Sequence, residues 1–134
     1  MSENFELHAQ LAKDSILLAD WPLCQLRLIN DSNYPWFILV PRRADIRDVI
    51  DLSDEDQAQL WQESAKLSRL LRQKFRAEKL NLAALGNMVP QLHLHHVARF
   101  SSDAAWPSPI WGKVAAIPYT EQQLVVLLNE WSVA

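Results

Sequence analysis

The sequence predicts an α+β domain built on a mostly antiparallel sheet. Three observations carry this. Short strand-like runs are closed by turn residues. One long amphipathic helix interrupts them, and a second helix ends the chain. The 134 residues suit one domain, spanning 1–134, with enough chain for a core.

Residues 4–13 carry a weak helical pattern. Residues 15–19 (SILLA) read as a short strand. Residues 23–29 (LCQLRLI) alternate apolar and polar, as a half-buried strand does. The cluster Asn30-Asp31-Ser32-Asn33 is a turn, because Asn and Asp side chains bond their own backbone. Residues 36–40 (WFILV) form a second apolar run closed by Pro41, so 23–40 predicts a hairpin.

The clearest helix runs from about 53 to 78. Ser53 caps it, and Asp54, Glu55 and Asp56 suit its positive end. Leu60, Trp61, Ser64, Leu67, Leu71 and Phe75 fall on its apolar face, opposite Gln62, Lys66, Arg69, Gln73 and Arg76. Residues 80–85 (LNLAAL) and 91–99 (QLHLHHVAR) read as strands on either side of Gly86. A last helix, about 120–132, opens with the box Thr120-x-x-Gln123 and is expected to bury Leu124, Leu127, Leu128 and Trp131.

Composition excludes several classes. The net charge is −3, and the basic residues between Lys66 and Lys79 are spread over one polar helix face, so a long nucleic acid is not the expected partner. Only two glycines are present, which argues against a glycine-rich phosphate loop. No apolar run is long enough to span a bilayer, and no membrane partner is expected. The N-terminus lacks a secretory pattern, and the single cysteine, Cys24, has no internal disulfide partner; a reducing, cytoplasmic setting is expected.

Three of the four histidines sit within Gln91-Leu92-His93-Leu94-His95-His96-Val97. On a strand, Gln91, His93 and His95 share one face, while Leu92, Leu94 and His96 share the other. Two imidazoles on one polar face suit phosphorus chemistry. One attacks as a neutral nucleophile, and the other donates to non-bridging oxygens. Asn87 adds a donor just upstream.

This segment resembles the signature of the histidine-triad (HIT) superfamily, His-φ-His-φ-His-φ-φ with φ apolar. His93 matches the middle histidine and His95 the third. Gln91 stands where the family has its first histidine, and His96 occupies a φ position. Pro35-Trp36-Phe37-Ile38-Leu39-Val40-Pro41-Arg42, Leu52-Ser53-Asp54-Glu55, the stretch from Asn81 to Asn87, and Trp106-Pro107-Ser108-Pro109-Ile110-Trp111-Gly112 are similar to further family segments. The likeness covers roughly residues 15 to 112.

The resemblance implies a five-stranded antiparallel sheet with a long helix, usually paired as a homodimer. It also implies nucleotidyl transfer or hydrolysis at an α-phosphorus, with no cofactor and no metal for the attack. Carried over by position, His93 becomes nucleotidylated; His95, Gln91 and Asn87 bind phosphate or leaving group; Asn30 and Asp31 lie where relatives hold the ribose hydroxyls. Leu26 and Leu28 are candidates for the base pocket. The substrate class is a dinucleoside polyphosphate or a nucleoside phosphoramidate.

Other readings stay open. Strand histidines also serve as structural groups, and His96, on the leucine side, is expected to be one. Two histidines at this spacing can share a zinc if Cys24 or His8 supplies a third ligand. Arg99 is either a phosphate contact or a surface strand residue. Trp106 and Trp111 either flank a pocket or serve as core and dimer contacts, as the other tryptophans do. With Gln91 in the triad, a nucleotide-binding module with little turnover is the alternative to an enzyme.

Overall fold

A computed structural model describes residues 4–132 and residue 134. A short helix, α1 (Ala9–Asp14), leads into β1 (Ser15–Asp20), β2 (Cys24–Ile29) and β3 (Trp36–Pro41). A single 3-10 turn at Val49–Asp51 precedes the long helix α2 (Asp54–Phe75). Then come β4 (Lys79–Ala83), β5 (Leu94–Arg99) and α3 (Glu121–Trp131). The strands form one five-stranded antiparallel sheet in the order β1-β2-β3-β5-β4. The fold is the expected α+β arrangement, and β2 and β3 pair around the Asn30–Asn33 turn.

The sheet buries two faces. On one, Leu26, Leu28, Phe37, Leu39 and Leu94 meet Leu60, Leu67 and Leu71 of α2, with Trp131 of α3 closing the layer. The three α2 leucines are fully buried, each stabilising the fold by about 1.5–3 kcal/mol relative to exposure. On the opposite face lie Ile38, Val40, His95, Val97 and Arg99. That face is covered by α1 with the residues before it, and by the chain after β5. A strand buried on both sides reads as a continuous run rather than an alternation, and β5 is buried at every position.

The helix ends follow the expected chemistry. Ser53 Oγ accepts from the Asp56 N–H at 3.1 Å, and the Thr120–Gln123 capping box forms at α3. Several details depart from the sequence-based expectation. α2 ends at Phe75 rather than near 78, with Arg76 in the left-handed region at φ 57°. β4 stops at Ala83, and β5 begins at Leu94 rather than at Gln91. Trp61 is half exposed, because the buried stripe runs through Leu60, Glu63, Ser64, Leu67 and Leu71, a turn to one side of it. Leu128 also points outward.

Glu63 occupies a buried position because its carboxylate accepts from the N–H groups of Leu23 and Cys24, at 2.8 and 3.0 Å, where β2 begins. Cys24 is fully buried beside it; burial first, then the Glu63 charge, pushes its thiol far up, so it is not a nucleophile. Arg99 is neither a surface residue nor a phosphate contact. It is buried in a bidentate pair with Asp103 (2.8 and 3.1 Å) and also donates to Asn81 Oδ1 and Ser108 O, both at 2.8 Å. Burial works upward on the Asp103 carboxyl, yet hydrogen bonds from Arg99 and from the N–H groups of Phe100, Ala105 and Trp106 hold it well below the usual range. This hub folds the chain after β5 back onto the sheet. No helix among the described residues is long and apolar enough to cross a membrane.

His96 is the structural histidine expected from its face. It has no exposure; its Nδ1–H donates to Leu94 O at 3.1 Å, and its Nε2 accepts from Ser64 Oγ of α2 at 2.7 Å. Burial lowers its pKa from 6.5 to about 4, against the pull of the Leu94 carbonyl. The unfolded chain therefore takes up a proton below pH 6.5 that the folded chain refuses, so this stability is complete above pH 6.5 and is lost as pH falls towards 4. Urea titrations at pH 7 and pH 5 are expected to differ by about 2 kcal/mol from His96 alone, the folded state being weaker at pH 5. In the His96→Gln variant, the pH slope should lessen by about that amount and persist in part, because His95 is lowered as well, to about 3.

Candidate active site

A cavity of about 690 Å³ opens on the face opposite α2, within the size range of small-ligand pockets. His93 and His95 stand in its wall, with Trp36 and Trp111 beside them, the 85–89 loop on one side and Leu11, Lys13 and Asp14 of α1 on another. The two imidazoles meet edge to face, with ring centroids 4.8 Å apart.

Each ring has its proton assigned by its partner. His93 Nδ1 lies 2.7 Å from the Gln91 carbonyl oxygen, which can only accept, so Nδ1 carries the proton and Nε2 keeps a lone pair. His95 Nδ1 lies 2.9 Å from the indole nitrogen of Trp36, which can only donate, so His95 carries its proton on Nε2. One ring thus offers a nucleophilic nitrogen and the other a donor N–H.

Both rings are held neutral. Burial lowers the His93 pKa, and the nearby His8 adds to this, while the Gln91 carbonyl works the other way. Burial, then the neighbouring His93 and His96 rings, lowers His95 to about 3. Near pH 7, the pair is therefore a neutral nucleophile beside a neutral donor.

Of the other residues singled out from the sequence, Asp31, Asn30 and Asn87 also lie in the cavity wall. Asp31 is buried. Its Oδ1 accepts from the Asn33 N–H and Nδ2 and from the Ile117 N–H, at 3.0, 2.8 and 3.3 Å. Asn30 Oδ1 is taken by the Tyr119 N–H at 2.9 Å. The turn thus holds the chain before α3 as well as facing the cavity. Burial first, then the Asp31 charge, raises the Tyr119 phenol to about 12. Asn87 is exposed on the loop after Gly86, whose φ of 69° suits a residue without a Cβ.

Gln91 does not share the face expected for it. It precedes β5, and both polar atoms of its amide are engaged by backbone: Oε1 accepts from the His8 N–H, and Nε2 donates to Glu6 O, each at 2.8 Å. The cavity wall includes neither Gln91 nor Leu26 and Leu28. The two leucines lie in the core under α2, because β2 turns them to the helix face, and Ile29 faces the cavity instead. Among the described residues, no three His, Cys, Asp or Glu side chains are grouped to hold a metal ion. Cys24 lies in the α2-side core, and His8 Nδ1 accepts from the Gln10 N–H at 3.0 Å, so neither joins the histidine pair as a third ligand.

Sequence reasoning missed Trp36 as the group that fixes His95, and it missed α1 as a wall. The Trp36 contact depends on β3–β5 register, in which Ile38 pairs with His95 and Trp36 lies one step along the same face. No local pattern reports that register.

An antiparallel α+β sheet thus carries a cavity of small-ligand size with two neutral imidazoles in its wall. The HIT domain family model matches residues 10–102, and the chain belongs to that family. Solved structures of similar proteins agree. A histidine triad protein from Marinobacter aquaeolei VT8 is 48% identical, with a TM-score of 0.92 over 94% of this chain and 92% of its own. One from Bradyrhizobium japonicum is 44% identical, with a TM-score of 0.90 over 93% of both chains. One from Sinorhizobium meliloti 1021 is 43% identical, with a TM-score of 0.91 over 94% and 93%. No curated protein matches the chain. Membership places the protein in a superfamily of nucleotide-binding hydrolases and transferases.

Replacing Trp36 by Phe keeps the ring but removes the N–H that fixes His95. Nitrogen-15 spectra of the imidazoles should show His95 Nε2-protonated in the parent protein and a mixture of tautomers in the variant.

Proposed function

We propose that the protein cleaves a nucleoside phosphate conjugate at its α-phosphorus through a covalent nucleotidyl–His93 intermediate. The observation that carries this reading is the opposed protonation of the two imidazoles in one cavity. His93 Nε2 attacks phosphorus with its lone pair, a nitrogen–phosphorus bond forms, and the bond to the leaving group breaks with its electrons going to that group. His95 Nε2–H donates to a non-bridging oxygen, where charge must be held as the bonds exchange. The nucleotidylated His93 ring carries positive charge, which the Gln91 carbonyl eases through Nδ1–H. Water then attacks phosphorus and gives up a proton to solvent, an oxygen–phosphorus bond forms as the nitrogen–phosphorus bond breaks with its electron pair returning to Nε2, and the nucleoside monophosphate leaves.

Asp31 and Asn30 line the same cavity. Asp31 Oδ2 carries no hydrogen bond among the described residues, and a carboxylate oxygen of this kind accepts from a ribose hydroxyl. Asn87, on the exposed loop in the cavity wall, is assigned in this reading to the phosphate or the leaving group. Dinucleoside polyphosphates and nucleoside phosphoramidates are the substrate classes to test. A cytoplasmic homodimer goes with this reading. The edge strand β4, with Leu82 exposed, offers an open pairing edge, and sedimentation of the purified protein tests it.

Incubation with a labelled dinucleoside polyphosphate or phosphoramidate, quenched in base, should leave a nucleotidyl adduct on His93 detectable by mass spectrometry. The His93→Ala variant should lose at least about 10³ in rate. Tight nucleotide binding with neither adduct nor product would instead indicate a binding module. Because burial disfavours the imidazolium of His93, its acid limb should lie below the ordinary histidine value. The profile of kcat/KM is expected to be flat above pH 6.5 and to decline only below about that pH, the reference value for histidine.

A further inference from the structure

The geometry points to Gln91 as a positioning residue that clasps the N-terminal segment into place as a wall of the nucleotide pocket, rather than as a ligand of the phosphate. This inference rests on the nucleotide-cleaving reading for its consequence, though not for its geometry.

The clasp has two points. Gln91 Oε1 accepts from the His8 N–H, and Nε2 donates to the Glu6 carbonyl, each at 2.8 Å. In extended chain, the carbonyl of one residue and the N–H two residues on flank the same edge. A neighbouring strand would meet them with one N–H and one C=O. A primary amide carries the same donor and acceptor side by side, so Gln91 stands in for a strand that is not there. A carboxylate lacks the donor, and the two nitrogens of an imidazole diverge, so neither makes both bonds. Glutamine at this position is thus matched to a role that histidine cannot fill.

What the clasp holds is part of the site. His8, fixed by its N–H, uses Nδ1 to accept from the Gln10 N–H and so starts α1. That six-residue helix is too short to be stable alone. It is held by Leu11, buried against Ile38 and Val40, with Phe5 and Leu7 packed on the same cluster. From it, Leu11, Lys13 and Asp14 enter the cavity wall. The same Gln91 supplies, from its main chain, the carbonyl that holds His93 Nδ1–H at 2.7 Å. The side chain of Gln91 thus sets the pocket wall, while its main-chain carbonyl, which both substitutions below retain, orients the nucleophile.

The test uses the full chain with Gln91→Ala and Gln91→Glu, the latter keeping size and the acceptor while losing the donor. Hydrogen exchange should speed about tenfold across residues 6–14 in both variants, as expected for the loss of one or two modest hydrogen bonds. Exchange in β5 should be unchanged, which reports an intact fold. With adenosine 5′-phosphoramidate as the probe, KM should rise several-fold with kcat within about twofold, the signature of lost uniform binding. Unchanged exchange over residues 6–14, or a fall in kcat with KM unchanged, overturns the inference and returns Gln91 to the phosphate. If the parent protein turns over no conjugate, the enzymatic reading fails, and the exchange data still decide whether the clasp exists.

Discussion

A neutral imidazole has two nitrogens and one proton, and the chemistry available to this protein depends on where that proton sits. At His93, it is drawn to Nδ1 by a backbone carbonyl; at His95, it is displaced to Nε2 by an indole N–H. Neither partner has a choice of role, since a carbonyl never donates and an indole N–H never accepts. Two identical side chains on one surface thereby acquire opposite characters. Burial removes the third possibility, the charged ring, by making it costly to take up a proton. Exchanging either partner's role would leave two donors or two acceptors side by side in the cavity wall.

Holding that pair in place takes structure on every side of β5. Below it, Ser64 and the Leu94 carbonyl saturate both nitrogens of His96, so the third histidine of the run is bound to the core and has no part in the cavity. At its end, Arg99 and Asp103 form a buried ion pair whose remaining hydrogen-bonding capacity is used on Asn81, Ser108 and three backbone N–H groups. A buried pair is worth its desolvation only when such bonds accompany it. Here the pair fixes the 100–110 segment, which leads to Trp111 at the edge of His95, with ring centroids 5.2 Å apart. The Asn30–Asp31 turn performs the matching task for residues 117–119.

Much of the fold was legible because its signals are local. Ser53 and Thr120 start their helices with side chains that reach only three residues, and both caps form. The leucine stripe of α2 repeats at helical spacing, and the alternation of residues 93–96 assigns His93 and His95 to one face and His96 to the other. The same reasoning failed where a residue's neighbour is distant in sequence. Trp61 fits the stripe by hydrophobicity, yet Glu63 is the buried residue, because it meets backbone N–H groups 40 and 39 positions away. Leu26 and Leu28 are candidates for the pocket by sequence, but the side of the sheet that α2 covers decides their place. Arg99 reads as a surface residue or a phosphate contact until strand pairing brings Asn81, 18 positions earlier, beside it.

By itself, the sequence determined the order of strands and helices, the caps, the common face of two imidazoles and the absence of a glycine-rich phosphate loop, because each depends on residues within a few positions of one another. Only the tertiary structure decided which nitrogen of His95 holds the proton, that Gln91 bonds Glu6 and His8, and that α1 forms a wall of the cavity. Those depend on strand register and on segments more than 80 positions apart coming within 3 Å. A hydrogen bond has a length and a direction, and no one-dimensional pattern specifies either until the sheet has paired.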